Sequence, residues 1–360
     1  MKSIYKITLL FLLFPLITTA FNNDKKHEKV KRIKKEYNVN ANAKLSVDNR
    51  YGNLNITTWD KNSIKIEVTI TVKGDDLDSV NDKLESIDVE FEASESLVYA
   101  KTRFDKEQKS WSFWKKNNNL NFKVNYIIKM PKTNSVDLDN DYGNITLGDL
   151  LGKANINCDY GKISVGELAA DNNDINLDYC SSSTIAYMKS GDINADYSKV
   201  TIEESEDIRA NIDYTTLKIE KVGNISFNAD YGSINIDEAT NVKGNSDYVG
   251  LHFGTIRKNL KIDTDYGAIS VKRLVKGFES VDIEGQYAGI RIGVDANAVF
   301  NFELDLQFAS FKGENDKMEF FKKISKSTKK YYEGKFGKGN SNSNIKIRSQ
   351  YGGVSIKENN

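Results

Sequence analysis

The chain has 360 residues with 51 basic and 51 acidic side chains, so its formal charge is balanced. It contains no basic stripe with interleaved aromatic residues, which argues against nucleic acid as a partner. Its only histidines are His27 and His252, and no His/Cys cluster with metal-site spacing, phosphate-cradling glycine loop or credible histidine–nucleophile pair is present, so we predict no cofactor, no metal centre and no catalytic triad.

Residues 1–20 have the pattern of a signal peptide. Two lysines precede a mostly apolar stretch from Ile7 to Ile17, and small residues follow at Thr18 to Ala20. The alternative is an uncleaved membrane anchor, which is disfavoured because the apolar stretch is shorter than the ~20 residues that span a bilayer. No second apolar segment is long enough to cross. We therefore predict an exported protein, in the periplasm, at the cell surface or secreted.

The predicted mature chain begins with a basic segment, residues 21–38, whose lysines and arginine are tempered by Glu28 and Glu36. We interpret it as a solvated lead-in. Contact with an acidic polymer or with lipid headgroups is the alternative.

Residues 39–131 do not keep the period of the later chain and are predicted to form a β-rich cap with one short helix, of α+β or sandwich-like type. Ser63 to Lys73 alternates apolar and polar residues like a long half-buried strand, and Asp78 to Val89 has apolar residues at helical spacing. Leu97 to Phe104 and Leu120 to Met130 are predicted strands. Repeat proteins need such caps, because a bare terminal repeat offers an open edge for aggregation.

Residues 132–360 repeat one short phrase: an alternating apolar run, Asp-Tyr, usually Gly, and a second alternating run. The tyrosines recur every 17 to 19 residues, and this period with strand-type alternation is typical of a solenoid, whose repeats bury their apolar faces by stacking on neighbours. We therefore predict a mainly β protein, a parallel β-helix or β-solenoid of about 18-residue coils. The tyrosines of the regular block are Tyr142, Tyr160, Tyr179, Tyr197, Tyr214, Tyr231, Tyr248 and Tyr266.

The chain is predicted to bend at each repeat tyrosine. Apolar residues stand six and four positions before it and three and five positions after it, so the parity of inward-facing residues switches there. Glycine often follows, where it suits positive φ or close approach of two backbones. These glycines are Gly143, Gly161, Gly232 and Gly267, and the exceptions are Ser198, Thr215 and Val249. The exceptions must open the corner in a different way.

The pattern extends beyond the regular block. A similar coil from Leu45 to Ile56 precedes it, Tyr287 and Phe308 follow it, and a final coil runs from Ile345 to Ile356. Residues 312–344, rich in Lys, Ser, Gly and Asn, are predicted to be a long irregular loop. Stacked strands lie about 4.8 Å apart, so some ten coils predict a rod on the order of 50 Å long.

The two cysteines are predicted to be free thiols. Cys158 lies two residues before its tyrosine and Cys180 one residue after its own, an offset of three residues or about 10 Å along the strand with the corner between them. A disulfide needs Cα atoms within about 7 Å. Cys158 is predicted to be a small buried core residue.

One candidate binding surface is a ladder of aspartates directly before the repeat tyrosines, with Asn or Asp two positions earlier. The aspartates singled out are Asp159, Asp178, Asp196, Asp213, Asp230 and Asp247. A purely structural role is favoured, since Asp and Asn suit corners and stacked amides bond along a ladder. Like charges ~4.8 Å apart also repel, so a calcium-binding face and a glycan- or protein-binding face are the alternatives.

A second candidate surface contains Trp111 and Trp114, which lie between lysines in a segment between two predicted strands. Packing against their own domain is the favoured interpretation. If exposed, they would form a stacking platform for sugars or an interfacial anchor.

The coil from Leu45 to Ile56, the following Trp59-Asp60, the long strand through Ile64 to Val72 and the later Asp-Tyr-Gly-x-Ile coils resemble the bacterial exported putative-adhesin family with β-strand repeats. The resemblance covers almost the whole mature chain. It implies a β-solenoid in the cell envelope and supplies no catalytic residues.

Together these patterns favour a non-enzymatic envelope or surface protein, an adhesin or scaffold whose partners are surface glycans or envelope proteins. The alternative is a polysaccharide-active or glycan-binding β-helix protein, a class whose sites combine acidic residues, often calcium, and a basic residue in a groove. The regular coils have almost no loops, which argues against a catalytic cleft there. Residues 287–344 are the place where such a cleft would be expected.

Overall fold

The computed structural model describes residues 26–105 and 119–359. The predicted signal peptide and the segment with Trp111 and Trp114 lie outside these residues. The described chain is mainly β, with 23 strands and one helix, and hydrogen bonds connect all of these strands into one sheet. In the described residues no helix is both long and apolar enough to cross a membrane.

The region before the regular repeats contains seven strands and the helix. Strand β4 follows the predicted alternation, because its isoleucines and valines from Ile64 to Val72 are almost fully buried. The strands predicted at 97–104 and 120–130 are also present. The elements are β1 (His27–Asn38), β2 (Lys44–Arg50), β3 (Leu54–Trp59), β4 (Ser63–Gly74), α1 (Leu77–Glu85), β5 (Ile87–Ala93), β6 (Leu97–Phe104) and β7 (Asn121–Pro131).

Strand β1 lies in the segment predicted as a basic lead-in. Its side chains are mostly exposed, as expected, but its backbone pairs antiparallel with β4 from His27 opposite Gly74 to Asn38 opposite Ser63. The lead-in prediction did not include this strand. Pairing covers an edge of β4 that would otherwise offer free N–H and C=O groups.

Helix α1 is shorter than the predicted helix, which extended to Val89. Asp76 caps its first turn by accepting a hydrogen bond from the Ser79 backbone N–H, and Val80 is buried. Ile87 is buried as well, but as the first residue of β5. Buried residues therefore continue at helical spacing beyond the end of the helix, which is why the helix was predicted to be longer than it is.

In the repeats, strands before and after each tyrosine pair in parallel with the equivalent strands one period away. Ile156, for example, lies opposite Ile175, which lies opposite Ile193. The segment β14 passes through left-handed corners at Tyr214, Tyr231 and Tyr248, so it is not one straight strand. The elements are β8 (Ser135–Asp141), β9 (Asn144–Leu147), β10 (Ala154–Asp159), β11 (Lys162–Leu168), β12 (Asn173–Asp178), β13 (Ser183–Asp196), β14 (Lys199–Asp265), β15 (Ala268–Leu274), β16 (Ser280–Gln286) and β17 (Gly289–Asp295).

The left-handed residue of each corner is the tyrosine and not the glycine after it. The repeat tyrosines have φ between 49° and 61°, whereas of the four glycines predicted for this role only Gly232 has φ in that half of the map, at 151°. The alternative prediction for these glycines was close approach of two backbones. Gly143 agrees with it, because a Cβ added there would lie 1.8 Å from the carbonyl oxygen of Gly52.

The residues that replace glycine point into the corner. The Ser198 hydroxyl accepts a hydrogen bond from the Cys180 backbone N–H (2.9 Å) and donates to the carbonyl two residues before it (2.8 Å). The Thr215 hydroxyl accepts from the Ser198 N–H (3.0 Å) and donates in the same way (2.9 Å). Val249 fills the equivalent position as a buried apolar side chain. At these two corners, hydroxyl groups therefore pair with backbone N–H and C=O groups.

Both cysteines are free, as predicted; Cys158 is buried, as predicted, and Cys180 is buried as well. The expected separation is wrong, because the left-handed corner at Tyr179 turns the chain back toward its neighbour. The Cys180 thiol donates to the carbonyl oxygen of Cys158 at 2.9 Å. A hydrogen bond with the Cys180 thiol, and then burial, raise the pKa of the Cys158 thiol.

The C-terminal repeats do not pair in sequence order. Strand β22 (Asn344–Gln350) pairs in parallel with both β16 and β18 (Phe300–Gln307), so the last repeat of the sequence lies between the two before it. Likewise β2 lies between β6 and β8. The remaining elements are β18 (Phe300–Gln307), β19 (Phe311–Lys312), β20 (Met318–Ser325), β21 (Lys329–Phe336), β22 (Asn344–Gln350) and β23 (Val354–Asn359).

The prediction of a long irregular loop at 312–344 is wrong. Strands β20 and β21 form an antiparallel hairpin, and β21 pairs antiparallel with β18. Tyr332 and Phe336 of β21 are buried against the core. These two aromatic residues and Met318 supply enough apolar burial to order a segment whose composition is otherwise polar.

Candidate binding surface

Twelve aromatic rings form one continuous stack along the repeats, here called the tyrosine column. Neighbouring ring centroids are 4.7 to 5.2 Å apart and neighbouring planes differ by at most 8°. At this spacing the column is about 50 Å long. In spatial order it contains Tyr51, Tyr142, Tyr160, Tyr179, Tyr197, Tyr214, Tyr231, Tyr248, Tyr266, Tyr287, Tyr351 and Phe308.

The tyrosine column offers ring edges to solvent and hides ring faces. Its members are 41% to 52% exposed, yet each inner ring is covered on both faces by its neighbours. At one end, Tyr51 meets Phe122 and Phe104 edge to face, at 5.0 and 6.0 Å between centroids. Sugar rings stack on aromatic faces, so this column can bind a partner along its length only through ring edges and hydroxyls.

The predicted aspartates form a second row in register, the aspartate column. Asp141, Asp159, Asp178, Asp196 and Asp213 lie opposite one another in successive strands. Asp159 is half-buried, and the other five predicted residues, from Asp178 to Asp247, are exposed. The structure therefore brings the six predicted carboxylates onto one face.

The ends of the aspartate column carry other side chains. Arg50 lies opposite Asp141 and pairs with it at 2.9 Å between Nε and Oδ2. At the other end, Asp265 lies opposite Gln286, which is followed by Gln350 and Gln307. The negative row is therefore bounded by a cation on one side and by neutral amides on the other.

Loss of solvation, followed by the like charges of neighbours, raises pKa values within the aspartate column. Burial, followed by the charges of Asp178 and Asp141, raises the pKa of Asp159 above its ordinary value. Burial, followed by the charges of Asp213 and Asp247, does the same to the pKa of Asp230. Both causes disfavour the ionised carboxyl group, so they shift the pKa in the same direction.

The polar residues two positions before the aspartates form a hydrogen-bonded asparagine column, as predicted. Asn176 donates to Asn157 and Asn194 donates to Asn176, both at 2.8 Å between amide nitrogen and oxygen. Further along, Asn228 donates to Asn211 at 3.2 Å and Asn245 donates to Asn228 at 3.1 Å. These amides tie successive strands together on the solvent side of the sheet.

The sequence analysis missed a row of charged residues beside the asparagine column. A groove of about 340 Å³ is lined by the asparagines and by Arg209, Asp192 and Lys243. The Arg209 guanidinium donates two hydrogen bonds, of 2.5 and 2.8 Å, to the carboxylate of Asp192. The sequence could have revealed this row, because Arg209, Asp192 and Lys243 each stand five positions before a repeat tyrosine.

A second, acidic groove of about 800 Å³ lies on strands after the corner. Its carboxylates are largely paired: Lys221 binds Glu204 at 2.6 Å and Arg257 binds Glu238 at 2.8 Å. The hydrogen bond from Arg257 lowers the pKa of Glu238. A general acid needs the opposite shift, so Glu238 is unsuited to that role.

Other sequence candidates add little to the surface. His252 is exposed, and in the part of the chain that the structure describes no group of three or more His, Cys, Asp or Glu side chains could hold a metal ion. Trp111 and Trp114 fall outside the described residues, so their role remains a prediction.

The sequence matches no protein-family model and no curated protein. Several solved structures are similar in part. A putative adhesin from Parabacteroides distasonis has 12% identity over 91% of this chain and 97% of its own, with a TM-score of 0.32. A putative adhesin from Bacteroides fragilis has 13% identity over the same shares and a TM-score of 0.29. A putative lipid binding protein from Parabacteroides distasonis has 12% identity over 91% of this chain and 97% of its own, with a TM-score of 0.27. At these TM-scores the similarities carry no argument about function.

Proposed function

We propose that the mature chain is a parallel β-solenoid that is exported and serves as a non-enzymatic adhesin or scaffold in the cell envelope or at the cell surface. The observation that supports this most directly is the regularity of its surface. The tyrosine, aspartate and asparagine columns repeat in register at the spacing of the strands. A regular polar face of this kind suits an extended partner, such as a surface glycan or an envelope protein.

The proposed contact face combines the aspartate column with the groove beside the asparagine column. Carboxylates, amides and the Arg209 guanidinium supply both acceptors and donors at a fixed repeat. Because the tyrosine column hides its ring faces, binding here would depend on hydrogen bonds and charge, with ring stacking excluded along its length. Partners recognised in this way should bind less tightly at high salt.

The test is a glycan array, together with a pull-down from envelope extracts, using residues 21–360. Charge reversal of Asp213 and Asp230 to Lys should abolish capture of the ligands that the wild type retains. The matched control reverses Glu203 and Glu220, which lie on strands after the corner. Capture of no ligand, or equal loss in both variants, contradicts the proposal.

Export has its own test. Expression of the full sequence in a bacterial host followed by N-terminal sequencing of the exported protein should find Phe21 as the first residue. Retention in the cytoplasm with Met1 intact would contradict export.

A polysaccharide-active enzyme is the second candidate, because acidic residues and Lys221 line the larger groove. That groove lies in the regular coils and not in the 287–344 region where the sequence analysis expected a cleft. Incubation of the mature protein with acidic and neutral polysaccharides, with and without calcium, should release no product. Turnover that is lost on changing Glu204 and Glu220 to Gln would favour the enzyme.

A further inference from the structure

The β20–β21 hairpin forms the outermost layer at one end of the sheet. Strand β21 pairs with β18, whereas β20 pairs only with β21 among the described strands. The hairpin therefore has one face packed on the core, through Met318, Tyr332 and Phe336, and one face open to solvent.

A β-bulge in β20 changes which residues face solvent. Phe320 lies opposite Gly334, but Lys322 lies opposite Glu333, so Phe321 is an extra residue without a partner in the ladder. A bulge shifts the alternation of the side chains that follow it. After the bulge Ile324 lies opposite the half-buried Tyr331 and is 37% exposed, and the bulged Phe321 itself is 61% exposed.

The same tip is strongly basic. Residues 321–330, here called the hairpin tip, contain no acidic residue and five lysines: Lys322, Lys323, Lys326, Lys329 and Lys330. Two of these lysines have acidic partners elsewhere, since Lys323 binds Glu314 at 2.8 Å and Lys329 approaches Asp305 at 3.4 Å. The tip thus presents two large apolar side chains within a positive field.

We propose that the hairpin tip docks on the surface of an anionic lipid bilayer. Lysines are attracted to a negative headgroup layer, and exposed Phe and Ile gain by entering the boundary between headgroups and acyl chains. A soluble polyanion would use the lysines but would leave Phe321 and Ile324 in water. The combination fits a surface that carries negative charge outside and is apolar beneath. This inference is independent of what the regular coils bind.

The experiment is co-sedimentation of the mature protein with vesicles of phosphatidylcholine and with vesicles containing about 30% phosphatidylglycerol. Binding is expected only to the anionic vesicles and should weaken as salt is raised. The paired change Phe321→Ser and Ile324→Ser should reduce vesicle affinity about tenfold, as should Lys326→Glu with Lys330→Glu.

Matched controls test the location. Lys29→Glu with Lys35→Glu makes the same charge change on β1, and Leu151→Ser removes an apolar side chain that is 50% exposed elsewhere; both should bind like the wild type. All substituted positions are solvent-exposed or only partly buried, so unchanged circular dichroism and melting verify folding. Failure to bind anionic vesicles overturns the proposal, as does loss in the β1 variant alone. Sensitivity to the lysine change but not to the apolar change would also overturn it, because binding would then be electrostatic attraction without entry of Phe321 and Ile324 into the bilayer.

Discussion

Tyr214 and Tyr231 lie face to face, with ring centroids 4.8 Å apart and planes that differ by 4°. Both residues have left-handed backbones, with φ of 49° and 52°. A non-glycine residue in this region is disfavoured by contact between its Cβ and the following carbonyl oxygen. In this conformation both corners place their rings in the tyrosine column. Ring stacking therefore compensates for backbone strain at each step of the tyrosine column.

This relationship predicts an unusual order of stability at Tyr231. Tyr231→Ala loses two ring contacts, about 1–3 kcal/mol in total, and keeps a Cβ in the left-handed corner. Tyr231→Gly loses the same ring but removes the strain, so it should be more stable than the Ala variant by about 0.5–1 kcal/mol. Urea denaturation of both variants measures the difference.

Tyr187 provides the control, because it lies within β13 and has no positive φ. Glycine in an ordinary strand is less stable than alanine, so the order of the Ala and Gly variants should reverse there. The same order at both positions would mean that the corner strain does not contribute.

A second prediction concerns which alternate side chains of the strands face the interior. Ile234 is fully buried, and its neighbour Asn235 lies partly exposed with its amide 3.3 Å from the Ser233 hydroxyl. Ile234→Asp would bury an unpaired carboxylate and should cost several kcal/mol, whereas Asn235→Asp should change stability little. Thermal melting of the two variants checks this, and equal midpoints would show that the assigned inward face is wrong.

The period and parity of the repeats could be predicted from sequence because both follow from the alternation of side chains along a strand. The column of aspartates followed from the same register. The conformation of the corner could not be predicted, since glycine is the residue that favours positive φ in isolation, and only the stacked neighbours make tyrosine acceptable there.

The order in which the C-terminal strands pair, and the β20–β21 hairpin, also could not be predicted from the sequence. Ile283, Ile347 and Leu304 occupy equivalent positions in β16, β22 and β18, so any order of these strands buries the same side chains. In the hairpin, a few buried aromatic residues outweigh a lysine-rich composition that alone indicates a loop. The row with Arg209 and Lys243 was missed because it varies in charge from coil to coil.

The raised pKa of Asp230 predicts how stability changes with pH. Because the folded pKa lies above the unfolded value, ionisation of this group destabilises the fold, and that penalty disappears as pH falls through the folded pKa. Asp230→Asn should therefore be more stable than wild type at pH 7, and the advantage should shrink in acid. Solvent screening keeps the effect within about 1 kcal/mol. Urea titrations at several pH values measure it.

Asp192 is the matched control with the opposite sign. Its hydrogen bond with Arg209 lowers its pKa, so its ionised form stabilises the fold until pH falls through that lowered pKa. Asp192→Asn should therefore be less stable than wild type at pH 7. If both substitutions act in the same direction, the repulsion assigned to the aspartate column is incorrect.

The last prediction concerns calcium at the aspartate column. Calcium needs six to eight oxygen ligands, whereas adjacent carboxylates such as Asp213 and Asp230 could supply only a few, with water for the rest. The asparagine amides cannot complete the shell, since they are committed to one another and lie roughly 7 Å away along the strand. Binding should be millimolar or weaker, so melting in a few millimolar calcium should match melting in chelator at equal ionic strength. By comparison, a ligand that binds only the folded protein and is present at a hundredfold excess over its Kd would add about 2.7 kcal/mol to the free energy of unfolding. A calcium-specific rise of many degrees, lost when Asp213 and Asp230 are both changed to Asn, would make this column a metal site and contradict its structural role.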